Sequence, residues 1–162
     1  MDQHIQHAVA LNVKFTHGLV TDLSDEQMVA QPRSEVVFNH PAWVLGHLCL
    51  YNSIAAEMLG GDALCPDSWE PLFAIGSKPL PDAAAYPAKP VLLETFTHSS
   101  EVAGKALCGA AGDLLQQPAP EPVRDYFPMV GDYALYILTA HVGFHLGQLS
   151  AWRRAMGLPG LF

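Results

Sequence analysis

The chain has 162 residues, of which 50% are hydrophobic and 15% are charged. This balance excludes intrinsic disorder, and the length favours one domain over residues 1–162. Sixteen acidic residues against eight Lys and Arg give a formal net charge of −8. That charge argues against nucleic-acid binding as the main function and against docking on an anionic membrane.

The cysteine content and the N-terminal residues predict a cytoplasmic protein. The three cysteines are odd in number and include no C-x-x-C pair, which disfavours a disulfide framework. We expect Cys49 and Cys108 to be buried and Cys65 to be exposed in a loop. The first residues lack the basic and apolar segments of a signal peptide, and no apolar run reaches the roughly 18 residues of a membrane span.

The first predicted helix covers about residues 2–23. Its apolar residues recur at helical spacing, although the polar Asn12 and Thr16 lie on the same stripe. Ser24, with Gln27 three residues later, has the spacing of a capping box and predicts a short helix after the first.

The second predicted helix covers about residues 40–59 and ends at a pair of glycines. Asn39 is the predicted N-cap, and Pro41 occupies the first turn, where its missing N–H is harmless. The apolar face of this helix also carries His47 and Tyr51.

Two proline-rich connections flank the third predicted helix, which covers about residues 91–111. Ten of the thirteen prolines lie between Pro66 and Pro128, in or next to these connections, at about residues 62–90 and 114–128. Connections this long indicate that at least one pair of consecutive helices is parallel, because antiparallel neighbours need only short loops.

The fourth predicted helix covers about residues 131–156, with Asp132 as its N-cap. Arg153 lies in the last turn, where its charge is favourable against the helix dipole. With no strand pattern along the chain, the four long helices predict an all-α protein and a four-helix bundle. The apolar face of the fourth helix also carries three polar residues, His141, His145 and Gln148.

The H-x-x-x-H spacing of His141 and His145 places both rings on one helix face, one turn apart. Two imidazoles in this arrangement can bind one metal ion at about 2.0–2.1 Å. His47 lies equally deep in the apolar face of the second helix. Three buried imidazoles need partners for their ring nitrogens, and these are either one metal ion or neighbouring side chains and carbonyls.

Two common metal motifs are missing from the sequence. A zinc protease would read H-E-x-x-H, but Val142, Gly143 and Phe144 separate the two histidines and supply no glutamate base. A di-iron bundle would need two Glu-x-x-His motifs, and the chain has neither.

The segments at residues 40–48 (HPAWVLGHL) and 141–149 (HVGFHLGQL) resemble the two metal-binding helices of the DinB/YfiT-like superfamily. The resemblance implies a four-helix bundle in up-down-down-up order, with a long crossover between the second and third helices. It also implies a divalent metal site in a pocket beneath this crossover, with three ligands, His47, His141 and His145.

Relatives of this kind include transferases and isomerases that use low-molecular-weight thiols. The resemblance therefore implies a metal-dependent enzyme, a transferase that activates a thiol or a hydrolase that activates water, acting on a small-molecule substrate. Zinc or nickel is the expected metal, with iron and manganese as alternatives, and a homodimer is the expected assembly. The competing interpretation is a non-catalytic, metal- or ligand-binding stress-response bundle.

Two further residues are candidates for a role beside the metal. Tyr51 is one turn from His47 and could donate a proton, or serve only as a core aromatic. Gln148 is close to His145 and could orient a ligand, or only pack between helices. No carboxylate lies at helical spacing from the three histidines, which favours thiol activation over hydrolysis.

Overall fold

A computed structural model describes residues 2–33 and 35–161, and within them the protein is a bundle of helices without a β-strand. None of the helices in this part of the chain is both long enough and apolar enough to cross a bilayer. A π-helical segment, Ile137–His141, joins α7 to α8, so that these two form one continuous fourth helix of the bundle. The α-helices are α1 (Asp2–Val20), α2 (Asp25–Met28), α3 (Pro41–Met58), α4 (Glu70–Phe73), α5 (Lys89–Gly109), α6 (Gly112–Leu115), α7 (Val130–Tyr136) and α8 (Val142–Ala155).

Hydrogen bonds between α3 and α5 show that these helices run in the same direction. The Cys49 thiol donates to the carbonyl of Leu92 at 3.6 Å, and the Asn52 amide donates to the Ser100 hydroxyl at 2.9 Å. Residue numbers therefore rise together along the two helices. The crossover from residue 59 to residue 88 makes this parallel pairing possible.

The helices α1 and α5 run antiparallel to each other, whereas α1 and the fourth helix run parallel, since Asn12 contacts Leu138 and Leu19 contacts Arg153. The His17 ring is 2.9 Å from the Thr97 hydroxyl, and the Cys108 thiol donates to the carbonyl of Asp2 at 3.6 Å. The α3 helix and the fourth helix also run in opposite directions, since an early residue of one contacts a late residue of the other. These directions favour the up-down-down-up order that the resemblance implies.

The N-terminus of α3 is capped by His40 rather than by the predicted Asn39. The Nδ1 atom of His40 accepts the backbone N–H of Trp43 at 3.2 Å, and Pro41 is the first helical residue as predicted. The opposite ring nitrogen, Nε2, donates to the carbonyl of Leu80 at 2.9 Å. His40 thus closes the helix end and fastens the crossover to it with one fully buried ring.

The N-cap predicted for the fourth helix is also wrong. The helix begins at Val130, and Asp132 is its third residue, whose carboxylate accepts the backbone N–H of Met129 at 3.3 Å. The capping box of Ser24 and Gln27 is present, with both of its reciprocal hydrogen bonds formed. Hydrogen bonds of this type satisfy N–H groups that a helix terminus leaves unpaired.

Arg153 does not act only through the helix dipole, because its side chain is 4% exposed and carries an ion pair. Its guanidinium donates to both carboxylate oxygens of Asp22 at 2.7 and 2.9 Å, and this lowers the pKa of Asp22. The same side chain donates to the carbonyls of Leu19 and Pro159 at 2.7 and 3.0 Å. Arg153 therefore ties the end of α1 to α8 and to the C-terminal segment.

The predicted environments of the cysteines hold only for Cys49, which is fully buried. Cys108 is half-buried, at the edge of the bundle. Cys65 is also half-buried instead of exposed, because the crossover folds back over α3, and burial raises the pKa of its thiol to about 11.

We predict that His40→Ala lowers the free energy of unfolding by about 1–3 kcal/mol, because it removes a helix cap and a buried hydrogen bond. Burial lowers the pKa of His40 below its usual 6.5. Among the described residues, the aromatic ring that packs against His40 is that of Tyr86. The native state thus binds fewer protons than the unfolded chain, so the stability that His40 contributes is lost as the pH falls below 6.5.

The measurement is urea unfolding at neutral pH and under mild acid. His40→Asn is the matched control, since asparagine can cap the helix but does not titrate. We expect acid to weaken the wild-type protein more than this variant. Equal pH dependence of the two proteins would show that His40 is not the titrating group.

Candidate metal centre

Three imidazole rings from different parts of the chain converge inside the bundle. The Nε2 atom of His141 lies 3.2 Å from Nε2 of His47 and 3.2 Å from Nε2 of His145. All three side chains are at least nine-tenths buried, and their ligand atoms lie within 4.8 Å of one another. α3 supplies His47, and the fourth helix supplies the other two.

The spacing of these nitrogens fits a common metal ion. With metal–nitrogen bonds of about 2.0–2.1 Å, two ligands are about 3.3 Å apart at a tetrahedral angle and about 2.9 Å apart at a right angle. The observed 3.2 Å lies between these values. The three histidines could therefore hold a divalent cation.

The outer hydrogen bonds of two rings fix which nitrogen faces the centre. The Nδ1 atom of His47 donates to the carbonyl of Phe73 at 2.7 Å, since a carbonyl can only accept. The Nδ1 atom of His145 donates to Oε1 of Gln148 at 3.0 Å, and this oxygen also accepts the Asn39 amide at 3.2 Å. Both rings thus direct an unprotonated Nε2 at the centre.

This tautomer assignment leaves the centre without enough protons for a hydrogen-bonded cluster. Of the three Nε2 atoms, His141 alone can carry a proton, and one N–H cannot satisfy two separate lone pairs equally well. A cation among the rings would satisfy all three nitrogens. The buried Nδ1 of His141 then carries the proton, and it has no hydrogen-bond partner among the described residues.

Electrostatics hold the three rings in the neutral form that coordinates metals. Burial, followed by the neighbouring imidazoles, lowers the pKa of His141 to about 3 and that of His145 to about 4. Burial also lowers the pKa of His47, although its hydrogen bond to the Phe73 carbonyl opposes the shift. Metal binding therefore needs no deprotonation of these side chains near neutral pH.

Aromatic side chains enclose the centre. Trp43 stacks on His47 with ring centroids 4.7 Å apart and donates its indole N–H to Ser77 of the crossover at 2.9 Å. Tyr51 lies 4.5 Å from the His47 ring and 5.1 Å from the His141 ring. Phe144 meets the edge of His145 and is 65% exposed, so the enclosure ends there.

A comparison with protein families places this chain. A family model described as the DinB superfamily matches residues 14–149, which is most of the chain. The chain belongs to the DinB superfamily. Searches of curated proteins and of solved structures found no match.

In this DinB superfamily member, a π-helical segment places His141 at the point where α7 passes into α8. Such segments occur often at functional sites because they shift the register of the side chains that follow. Asn12 donates its side-chain amide to the carbonyl of Leu138 in this segment at 3.2 Å. The polar residues on the apolar stripe of α1, Asn12 and Thr16, thus make hydrogen bonds inside the bundle. The Thr16 hydroxyl donates to the Asn12 carbonyl at 2.8 Å.

The structure places Tyr51 and Gln148, the two further candidates from the sequence, beside the centre. Tyr51 contacts two of the rings, and Gln148 bonds one of them. The remaining predicted site residues are the three histidines themselves, which the structure brings together. Sequence reasoning missed the Phe73 carbonyl, because a backbone atom leaves no signal in the residue types.

We predict that Gln148→Leu lowers the affinity of the protein for Zn²⁺ by about 10–100-fold, the usual effect of losing an outer hydrogen bond on a ligand histidine. The substitution removes the acceptor that orients the His145 ring. Gln148→Glu keeps an acceptor at this position and is expected to stay within a few-fold of the wild type. Competition with a chromogenic chelator measures both affinities, and an unchanged affinity in Gln148→Leu would contradict the assigned role.

Proposed function

We propose that this DinB superfamily member is a metal-dependent enzyme that transfers a low-molecular-weight thiol to a small electrophilic substrate. His47, His141 and His145 would hold the divalent metal, with zinc or nickel as the expected ion. The observation that carries the proposal is the convergence of three neutral, buried imidazole nitrogens at metal-binding spacing. Three protein ligands leave coordination positions open, as in catalytic sites rather than structural ones.

A bound divalent cation would supply Lewis acidity, which lowers the pKa of a thiol or water in an open position. The chain itself holds the three imidazoles in one tautomer through Phe73 and Gln148. Trp43 and Tyr51 limit the access of water from the flanks of the His47 ring.

The composition of the described ligand cluster favours a thiol over water as the nucleophile. Among the described residues, the cluster of potential ligands contains histidines and no carboxylate. Hydrolysis normally needs a general base close to the attacking water, whereas a thiolate attacks directly. Burial raises the pKa of Tyr51, so its hydroxyl stays protonated near neutral pH and can donate a proton but not accept one.

The experiment compares zinc-loaded protein with His141→Ala in the conjugation of small thiols to chlorodinitrobenzene. In this reaction the sulfur–carbon bond forms while chloride and the thiol proton leave. We expect thiol-dependent turnover above the uncatalysed rate in the wild type and its loss in the variant. A wild-type protein that binds zinc but neither forms thiol conjugates nor hydrolyses esters would support the non-catalytic binding function instead.

The expected homodimer and cytoplasmic location belong to the same proposal. Light scattering of the purified protein measures the assembly directly. Because the site is built within one chain, we expect zinc binding to be independent of protein concentration.

A further inference from the structure

The residues just before α3 are fixed at two points, one on each side of Asn39. The side chain of Gln31 accepts the backbone N–H of Phe38 at 2.8 Å and donates to the Phe38 carbonyl at 3.0 Å. On the other side of Asn39, the fully buried ring of His40 caps α3. The backbone around Asn39 is thus held in place, and its half-buried side chain reaches Gln148 of the fourth helix.

One oxygen atom joins Asn39 to the candidate metal centre. The Oε1 atom of Gln148 accepts the Asn39 amide at 3.2 Å and the Nδ1–H of His145 at 3.0 Å. Because this oxygen accepts both hydrogen bonds, the neutral His145 ring carries its proton on Nδ1 and leaves Nε2 free. A free Nε2 is the form of the ring that can bind a metal ion.

The same three side chains allow a second hydrogen-bonding arrangement, which is incompatible with metal binding. If the Gln148 amide is reversed, its NH₂ group takes the place of Oε1 and can only donate. The Nδ1 atom of His145 must then accept, so that the proton of the ring lies on Nε2 and blocks coordination there. The reversed amide also needs an acceptor, and not a donor, at position 39.

We propose that Asn39 is a positioning residue of the metal centre, which acts through Gln148 to keep Nε2 of His145 unprotonated. The inference rests on the proposed function, because it concerns the same three-histidine site. By donating to Oε1, the Asn39 amide holds the oxygen of Gln148 toward His145. Asn39 also lies two residues before α3, which carries His47, so it connects the two helices that supply the ligands.

The first test compares Asn39→Asp with Asn39→Ala in metal-free protein. A carboxylate at this position has the size of the amide but can only accept, so it favours the reversed Gln148 amide. The tautomer of His145 is read from its ring-nitrogen NMR shifts, assigned by comparison with His145→Ala. We expect Nδ1–H in the wild type, Nε2–H in Asn39→Asp and a mixture in Asn39→Ala. The same tautomer in all three proteins would overturn the inference.

The affinity for Zn²⁺, measured by chelator competition, is the second readout. We expect Asn39→Asp to bind Zn²⁺ about ten-fold more weakly than the wild type, within the usual range for a disturbed hydrogen bond on a ligand histidine. Simple electrostatics predicts the opposite sign, because an added negative charge near the centre attracts a cation. Equal or tighter binding by Asn39→Asp would therefore contradict the assigned role.

The matched control places Asn39→Ala in the Gln148→Glu background. A carboxylate at position 148 offers an oxygen to His145 in either orientation, so it needs no donor at position 39 to fix it. We expect Asn39→Ala to weaken zinc binding a few-fold in the wild-type background and to leave both tautomer and affinity unchanged in Gln148→Glu. An equal loss of affinity in the two backgrounds would show that Asn39 does not act through Gln148, and would reject the inference.

The two readouts distinguish a failure of this inference from a failure of the proposed function. A change of the His145 tautomer in Asn39→Asp, in a protein that binds no zinc in any form, would support the action of Asn39 on His145 and reject the metal function. Zinc binding by the wild type that is unaffected by both substitutions of Asn39 would retain the metal centre and reject the positioning role.

Discussion

Replacing His47 or His145 by alanine is expected to lower the affinity for Zn²⁺ by more than about 100-fold, because loss of an outer hydrogen bond alone already costs about 10–100-fold. Each substitution removes one of three converging nitrogens and leaves two ligands, which cannot retain the ion against water. Chelator competition measures the affinity. Stoichiometric zinc with unchanged affinity in either variant would contradict the assigned ligand set.

The matched control is His98→Ala, which removes an exposed histidine on α5 outside the cluster. It is expected to bind zinc like the wild type. Thermal unfolding gives a second readout, because a ligand that binds only the native state raises its stability by about 2.7 kcal/mol at 100 times its Kd. Zinc should raise Tm in the wild type and in His98→Ala, and leave it nearly unchanged in His47→Ala.

Gly46→Ala is expected to lower the free energy of unfolding by about 1–3 kcal/mol, although alanine favours a helix more than glycine does. A Cβ at position 46 would overlap the ring of Phe73, which is fully buried and packs on Trp69 and Tyr86. The ring must shift, and with it the Phe73 carbonyl that orients His47. Weaker zinc binding should therefore accompany the loss of stability, and urea unfolding with chelator competition measures both.

Gly147→Ala provides the control, since a Cβ there meets no atom within 4 Å. It is expected to stabilise the protein by about 0.5–1 kcal/mol through helix propensity alone. Phe73→Leu in the Gly46→Ala background should relieve part of the overlap, so that the two substitutions are not additive. Full additivity would show that the ring does not transmit the effect.

Much of the fold follows from local rules that a sequence displays. The apolar spacing of α1, α3, α5 and the fourth helix, interrupted by prolines at their connections, predicts the helices to within a few residues. Ser24 and Gln27 specify their capping box without help from the rest of the chain.

The failures arise where a tertiary contact decides the outcome. Asn39 is intrinsically the better N-cap, but His40 caps α3 because the Leu80 carbonyl holds the opposite side of its ring. From its place in the last turn, Arg153 is expected only to interact with the helix dipole. In the structure its guanidinium forms an ion pair with Asp22, which is far away in sequence. Neither partner can be located without the path of the crossover or the packing of α1.

The three histidines of the candidate metal centre could be predicted from the sequence, but the groups that orient them could not. The spacing of His141 and His145, and the apolar surroundings of His47, identify three imidazoles that need partners. The π-helical segment before α8 and the Phe73 carbonyl leave no such pattern, because both depend on backbone geometry. The spacing of Gln148 from His145 identifies it as a candidate in the sequence. Its role as a hydrogen-bond acceptor for His145 is decided only by the structure.

The most direct test of the metal centre is elemental analysis of protein purified without a nickel resin, combined with anomalous scattering from its crystals. We expect about one divalent metal per chain, with the anomalous peak at bonding distance, about 2.0–2.1 Å, from all three Nε2 atoms. Folded protein that takes up no metal even after incubation with zinc, and whose His47 ring turns away from His141, would contradict the assignment of a metal centre.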